Sequence, residues 1–196
     1  MLLQRWLGEP ATTGTHGGDE AGGLELGAGP STDWFCDPRG SAPVASAPVA
    51  VLVDRMTPVV VRCRVEVELG ATFDAAGLLA HYDDTHWVKF AVELDPQGRA
   101  RIVTVRTDGW SDDANHLVLE APASELRLAV DEHSLALHAR PGSSGPWELI
   151  RYAAHPAPAP PAIGALVQSP TGEGTTARFG AITIEQRRLD ELRDGT

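Results

Sequence analysis

Lysine is almost missing from this sequence: Lys89 stands alone against fifteen arginines. The 16 basic residues are outnumbered by 27 acidic ones, which gives a formal net charge of -11. A chain of this charge repels a phosphate backbone unless a local basic patch overcomes the mean field, and its longest basic run is Arg187-Arg188. The charge therefore argues against nucleic acid as a partner. The richness in Ala, Arg, Gly and Pro indicates a G+C-rich genome, and we expect a bacterial protein.

Cysteine and long apolar runs are also scarce. Cys36 and Cys63 are too few for a disulfide framework or a four-ligand zinc site, so we predict two free thiols, with a bridge between them as the alternative. No run approaches the ~20 apolar residues of a membrane span. Arg5 interrupts the first apolar stretch, whereas a secretory signal needs ~7 to 15 uninterrupted apolar residues. We therefore expect a soluble, cytoplasmic protein with no membrane partner.

Motifs for cofactors and metals are missing as well. The seven histidines show no spacing typical of a zinc site, and neither a dinucleotide-binding glycine motif nor a P-loop is present. The pairs Asp83-Asp84 and Asp112-Asp113 carry oxygen ligands that suit Ca²⁺, but loop aspartates more commonly form turns. We therefore predict no cofactor and no metal site.

The length of 196 residues suits one domain with a single core. Residues 8–30 contain eight glycines and almost no large apolar side chain. We therefore predict a flexible N-terminal arm over residues 1–23, with a short strand near residues 24–26. One β-sandwich domain should follow over residues 24–187. The tail, residues 188–196, lies in the one stretch able to form a helical turn or two.

Alternation of apolar and polar residues predicts strands along most of the chain. The clearest case is residues 59–69, where a period of two continues over eleven residues. Shorter alternations occur at 87–94, 101–107, 116–119, 125–130, 135–140, 163–168 and 176–186. Turn residues separate these runs, and the four prolines in residues 154–164 predict an extended surface crossing between sheets. The pattern predicts an all-β protein, an antiparallel sandwich.

One predicted strand gathers candidate functional side chains on a single face. Because the apolar row of residues 87–94 points one way, Trp87, Lys89 and Glu93 should point the other way. Residues four apart on a strand lie ~13 Å apart, so Lys89 and Glu93 should not pair directly but find partners on a neighbouring strand.

The neighbouring strand is predicted to be residues 101–107. We expect its Val103 and Val105 in the core, and Thr104 and Arg106 on the side of Lys89 and Glu93. Pairing of Glu93 with Arg101 or Arg106 is then geometrically allowed, and so is a carboxylate that faces a ligand. In the loop that follows, Trp110 would add a second flat surface on which a sugar ring could stack.

Four sequence blocks resemble the DUF1349 family, which includes yeast regulators of enolase. They are "STDWF" at 31–35, "AAGLLAHYDDTHWVKFAVEL" at 75–94, "VTVRTDGWS" at 103–111 and "WELIRYAAH" at 147–155. Family positions match Trp87, Lys89, Glu93 and Arg151, whereas the family's "SDWS" reads "TDGWS" here, with an inserted glycine ahead of Ser111. The resemblance covers residues 31–185. It implies a concanavalin A-like jelly-roll sandwich of two curved antiparallel sheets, whose concave face binds glycans in related lectins and glucanases.

Our first functional hypothesis is a site for a carbohydrate or other small hydroxylated ligand on that concave face. The predicted ligand-binding residues are Tyr82, Trp87, Lys89, Glu93, Arg106, Trp110 and Arg151. The competing interpretation is purely structural, with charged neighbours that satisfy one another across the sheet.

Two further hypotheses remain open. The first is an enzyme acting on a carbohydrate or small metabolite, with Lys89 and Glu93 as acid and base. A glucanase mechanism is disfavoured because the strand offers only one of the two carboxyls that glycoside hydrolysis needs. The second is a protein-interaction or regulatory module with a protein partner. A closed cavity with Lys89 buried would favour chemistry, whereas an open groove lined by tryptophan would favour binding.

Overall fold

Strands build the whole fold in the computed structural model, which describes residues 3–16, 23–40, 42–142 and 144–196. In chain order the strands are β1 (Arg5–Leu7), β2 (Thr12–His16), β3 (Gly23–Ala28), β4 (Trp34–Phe35), β5 (Val44–Ala45), β6 (Val49–Asp54), β7 (Val59–Val67), β8 (Ala75–Asp83), β9 (His86–Leu94), β10 (Ala100–Asp108), β11 (Trp110–Val118), β12 (Ala123–Val130), β13 (Ser134–Arg140), β14 (Glu148–Ala154), β15 (Ala162–Gln168) and β16 (Thr175–Glu185). These described residues contain no helix that is long and apolar enough to cross a membrane.

Two large antiparallel sheets form a sandwich. The front sheet has the order β1-β6-β15-β8-β9-β10-β11, and the back sheet has the order β14-β13-β12-β7-β16-β3-β2. The strands β4 and β5 form a separate two-stranded hairpin. The proline-rich segment joins β14 at the edge of the back sheet to β15 inside the front sheet, as predicted. The prediction of an all-β antiparallel sandwich is confirmed.

The core fills the space between the two sheets. The strand predicted most clearly is β7, whose Val61, Cys63 and Val65 are buried in the same core cluster as Phe90 of β9. Burying a side chain such as Phe90 contributes about 1.5 to 3 kcal/mol, so this face of each strand fixes the register of the sheet. Cys63 is a free thiol, as predicted, and burial raises its pKa to about 12.

The flexible arm predicted for residues 1–23 is corrected where the structure describes it. In this segment β1 pairs with β6 at the edge of the front sheet, and β2 pairs with β3 at the edge of the back sheet. Glycine lowers strand propensity, but pairing with an existing strand satisfies the backbone N–H and C=O groups of these edges. Residues 1–2 and 17–22 of the predicted arm lie outside the described residues.

The C-terminal tail, residues 188–196, forms turns and no helix. It folds back over the outer face of the back sheet, where Leu189 packs against Val60 and Ala129. The imidazole Nε2 of His138 hydrogen-bonds the carbonyl of Leu192 at 2.8 Å. The helical turns expected here are therefore replaced by side-chain packing onto the sheet.

Gly77 sets the close approach of β8 to β9. A Cβ at this position would lie 2.0 Å from the carbonyl oxygen of Phe90, so Gly77→Ala must push the two strands apart. We expect the free energy of unfolding to fall by about 1 to 3 kcal/mol, measured by urea denaturation. Gly180→Ala in β16 is the matched control, because its Cβ would meet nothing within 4 Å. Equal losses in both variants would contradict this explanation.

Candidate functional site

The outer face of the front sheet carries the predicted row of β9. Val88, Phe90 and Val92 enter the core, so Trp87, Lys89 and Glu93 point away from the back sheet. The structure therefore places these three side chains on one face, as the alternation predicts. All three are nonetheless buried, because other parts of the chain cover this face.

The register of β10 differs from our expectation. Lys89 lies opposite Val105, and Glu93 lies opposite Arg101. Val105 therefore shares the outer face with Lys89, while the alternate residues Thr104 and Arg106 point to the other side. The prediction failed because it assumed that Val105 must face the core, whereas the outer face is itself covered and accepts apolar side chains.

The charged partners of Glu93 also differ from the expected ones. Arg101 donates to the carboxylate of Asp95 at 3.3 Å and to the carbonyl of His116 at 2.7 Å. Arg106 donates to Asp108 at 3.1 Å. In the described part of the chain neither arginine forms an ion pair with Glu93, so its carboxyl turns towards Lys89.

Lys89 is buried among polar groups from three chain segments, with only 3% of its surface exposed. Its ammonium Nζ donates to Gln168 Oε1 at 3.1 Å and lies 3.6 Å from Asp33 Oδ1 and 3.8 Å from Glu93 Oε2. The prediction that Lys89 and Glu93 cannot pair directly is wrong. Their backbones are separated along the strand, but two long side chains that lean towards each other close the gap.

These groups line a cavity of about 140 Å³. Its lining residues are Asp33, Phe35, Phe73, Lys89, Glu93, Val105, Asp113 and Gln168. An enclosed cavity of about 150 Å³ is large enough for one six-membered ring. The cavity therefore has room for a single-ring molecule, and its lining includes an ammonium, an amide and two phenylalanine rings.

The electrostatics of the cavity are dominated by three carboxyl groups around one ammonium. Burial raises the pKa of Glu93 to about 7, although the nearby charge of Lys89 opposes this rise. Burial likewise raises the pKa of Asp113, again against the attraction of Lys89. Because three carboxylates exceed one positive charge, a proton held by Glu93 near neutral pH relieves part of their repulsion. The cavity therefore holds a group that can both give and take a proton.

Trp87 packs beneath a second tryptophan and does not offer a stacking surface. Trp34 lies edge-on to Trp87, with ring centroids 5.3 Å apart and planes at 81°. The indole Nε1 of Trp34 donates to the carbonyl of Ala47 at 2.8 Å, which holds this cover in place. Trp87 is fully buried and does not line the cavity, so it cannot offer its face to a ligand.

The segment of residues 34–36, which covers the outer face, is attached to β11 by two hydrogen bonds between Cys36 and Ser111. The N–H of Cys36 donates to Ser111 Oγ at 2.9 Å, and the N–H of Ser111 donates to the carbonyl of Cys36 at 2.9 Å. The inserted Gly109 adopts φ +71°, a conformation that favours glycine, and its N–H donates to Thr85. Ser111 therefore holds the cover, and in the structure it does not line the cavity.

Tyr82 and Arg151 lie away from the cavity. The hydroxyl of Tyr82 hydrogen-bonds His155 Nδ1 at 2.5 Å inside the sandwich. Arg151 of β14 crosses the open side of the sandwich, where it donates to Thr104 Oγ1 at 3.0 Å and to Asp112 Oδ2 at 3.2 Å. These two predicted site residues are corrected: they link the two sheets.

Trp110 and Arg106 are also placed outside the cavity. Trp110 is 53% exposed and pairs with Asp108 at the start of β11, on the strand face opposite Asp113. Arg106 shares the inner side of β10 with Thr104. Of the seven residues predicted to bind a ligand, only Lys89 and Glu93 line the cavity.

Sequence reasoning missed most of the residues around Lys89. Asp33 and Phe35 lie in the block "STDWF", which carried the resemblance but no assigned role. In the sequence, Asp113 stands out only as half of an aspartate pair, and Gln168 only as the end of a predicted strand. In the described part of the chain no three His, Cys, Asp or Glu side chains are placed to hold a metal ion.

Comparison with known proteins identifies the family. The profile of the family described as "Protein of unknown function (DUF1349)" matches residues 6–187. A curated relative, "Regulation of enolase protein 1" of Saccharomyces cerevisiae, is 28% identical over 118 residues, which are 59% of this chain and 58% of that protein. The match thus spans less than two thirds of the relative's own length.

Solved structures support the same fold. A functionally unknown protein from Saccharomyces cerevisiae superposes with a TM-score of 0.81 at 24% identity, covering 92% of this chain and 95% of that one. A GH43 protein from Bacillus licheniformis superposes with a TM-score of 0.67 at 12% identity, covering 84% of this chain and 33% of that one. At these identities the likeness shows the fold alone, a jelly-roll sandwich of the concanavalin A-like class.

Proposed function

This chain belongs to the DUF1349 family, and from that premise we propose that it binds a small hydroxylated molecule, about the size of one sugar ring, in the cavity around Lys89. The single observation that carries the proposal is the cavity itself: about 140 Å³, lined by the ammonium of Lys89, the amide of Gln168 and three carboxyls. Convergent polar groups in an otherwise apolar recess are typical of sites that bind small ligands.

The chemistry of the cavity suits hydroxyl groups. Lys89 donates one hydrogen bond to Gln168, and an ammonium has three donors, so donors remain for a ligand oxygen. The carboxyls of Glu93 and Asp113 accept hydrogen bonds from hydroxyls when ionised, and Glu93 donates one when protonated. Phe35 and Phe73 supply the apolar surface that the sequence assigned to tryptophan.

The size of the cavity narrows the ligand class. A glycan chain needs an open groove, whereas the hairpin β4–β5 and its flanking residues cover much of the face beside Lys89. The proposed ligand is therefore one ring, such as a monosaccharide or a cyclic polyol, or the terminal unit of a longer chain. The GH43 protein shares the fold only, and this proposal takes no substrate from it.

Asp113→Asn should weaken this binding by about tenfold, because a neutral amide replaces a charged acceptor in the cavity. The measurement is calorimetric titration with a panel of monosaccharides and cyclic polyols at millimolar concentration. Asp112→Asn is the matched control, since Asp112 is the adjacent residue on the opposite face and bonds Arg151 instead. No heat of binding for the wild type with any member of the panel would refute the proposal.

Acid–base catalysis on such a ligand is the second candidate, and one observation favours it. Glu93, with a pKa raised to about 7 by burial, lies 3.8 Å from the ammonium of Lys89. A group whose pKa lies near the working pH is suited to general acid or base catalysis. Lys89 is also buried, which is one of the two features, with a closed cavity, that favour chemistry over simple binding. Turnover that does not follow an ionisation near pH 7 would exclude this role for Glu93.

A regulatory role is the third candidate, supported by the name of the yeast relative. A protein partner would need an accessible face, and much of the outer face of the front sheet is covered by Trp34 and its neighbours. The exposed Trp110, Val118 and Tyr152 on the edge strands β11 and β14 are the better docking candidates. Capture of a host protein by the wild type, lost in Trp110→Ala, would support this role, and unchanged capture would contradict it.

A further inference from the structure

Arg127 of β12 is a buried cation without a hydrogen-bond partner at two of its nitrogens. The residue is 6% exposed, and Nε and Nη2 are buried with no partner among the described residues. These two nitrogens form the edge of the guanidinium that binds an oxyanion through two parallel hydrogen bonds. A buried, unpaired donor is costly, so this edge points to a missing acceptor.

Two more arginines surround the same place. The guanidinium carbons of Arg127, Arg140 and Arg62 lie 4.5, 4.6 and 5.7 Å from the ring centroid of Trp147. Arg62 and Arg127 are direct partners in the register of β7 and β12, on the outer face of the back sheet. Trp147 thus holds three cations together, although they repel one another.

The carboxylates nearby are already engaged. Glu125 pairs with Arg140 and lies 3.6 Å from Arg62, and Glu185 bonds Arg187 at 2.6 Å. In the described part of the chain no carboxylate forms an ion pair with Arg127. Burial lowers the pKa of the adjacent His138 to about 4, so this imidazole is neutral at pH 7 and supplies no charge. The unmet charge therefore belongs to Arg127.

The C-terminal tail covers this arginine edge. Gly195 lies so close that a Cβ on it would be 1.9 Å from Arg127 Nη2. The tail is held at one end by Leu189 against Val60 and in the middle by the hydrogen bond from His138 to Leu192. Arg188 of the tail also pairs with Glu132. Among the described residues no strand pairs with the tail. The cover is thus attached by a few contacts that can be released without opening the sheet.

We propose that Arg62, Arg127, Arg140 and Trp147 form a binding site for a small oxyanion, and that the C-terminal tail covers this site and leaves it when the anion binds. The oxyanion is a phosphate or carboxylate group, which accepts both hydrogen bonds from Nε and Nη2 of Arg127. The site lies on the outer face of the back sheet and is independent of the cavity at Lys89, so either proposal can fail alone.

Calorimetric titration with inorganic phosphate and with acetate, in chloride buffer of constant ionic strength, tests the site. The wild type should bind at least one anion at millimolar concentration, and Arg127→Gln should bind it at least about tenfold more weakly. Tighter binding of phosphate assigns a phosphorylated ligand, and tighter binding of acetate assigns a carboxylate. Arg178→Gln is the control on the same sheet, because Arg178 is exposed and bonds Glu25. This variant should bind the anion as tightly as the wild type does.

Two more measurements separate the parts of the proposal. Leu189→Ala loosens the tail and should tighten anion binding by about tenfold, since less of the binding free energy is used to displace it. Phosphate should also speed amide hydrogen exchange in residues 189–196. Arg127→Lys keeps the positive charge but lacks the paired donors Nε and Nη2. If Arg127→Gln does not fold, the anion affinity of Arg127→Lys is compared with that of the wild type instead. Equal anion affinity of the wild type and both Arg127 variants, or slower exchange in the tail, would overturn the proposal.

Discussion

In the wild type, the titration of Glu93 should lower the free energy of unfolding by about 3 kcal/mol as pH rises from 4.5 through 7. Glu93→Gln is expected to abolish this pH dependence. The pKa of Glu93 rises from an ordinary 4.5 to about 7 in the folded protein, mainly through burial. A raised carboxyl pKa means that the folded state binds the proton more tightly than the unfolded state. Its contribution to stability is therefore complete below pH 4.5 and is lost as pH rises through 7, by about 1.4 kcal/mol per pKa unit.

The measurement is urea denaturation of both proteins from pH 4.5 to pH 8. The difference in unfolding free energy between Glu93→Gln and the wild type should grow in favour of the variant across this range. Glu66→Gln is the control, because Glu66 is exposed on the back sheet and bonds Arg64. A difference that stays constant with pH would show that Glu93 titrates normally in the folded protein.

Lys89→Met is expected to destabilise the protein by about 3 to 5 kcal/mol at pH 8, because it removes the cation from a buried cluster and leaves its carboxylates unpaired. At pH 5 the loss should be much smaller. Glu93 then carries a proton, so fewer negative charges face one another when the ammonium is gone. The same variant should also lose binding of the ring-sized ligand.

The readouts are urea denaturation at both pH values and calorimetric titration. Lys89→Arg is the companion variant, since it keeps the charge but cannot readily deprotonate. It should retain more stability than Lys89→Met, and any turnover that depends on proton transfer from Lys89 should disappear in it. A loss of stability in Lys89→Met that is equal at pH 5 and pH 8 would contradict the charge-cluster explanation.

Strands whose two faces differ in polarity could be predicted from the sequence. β7 and β9 alternate because one row faces the core, and both were located within a residue or two. β6 and β8 were not predicted, because they are apolar on both faces and show no period of two. Their outer sides are covered by residues around Trp34, and a contact between segments so far apart in sequence leaves no local pattern.

The site was predicted in part for the same reason. Alternation within β9 placed Lys89 and Glu93 together, and both line the cavity. Asp113, Gln168 and Asp33 come from other strands or loops, and their convergence depends on register and on the packing of Trp34 over Trp87. Tyr82 lies close to Trp87 in sequence and Arg151 matches a family position, but neither fact determines on which side of a sheet a residue points.

The hairpin β4–β5 has a consequence for how ligand selectivity can change. The hairpin and the residue before it supply Phe35 and Asp33 to the cavity, yet the hairpin belongs to neither large sheet. Hydrogen bonds from Trp34 and Cys36 hold it in place. Replacement of Asp33 or Phe35 would alter the lining of the cavity and leave Lys89 and Glu93 in place. The hairpin β4–β5 is thus a natural point for diversification, and a designer could exchange it while keeping the two large sheets.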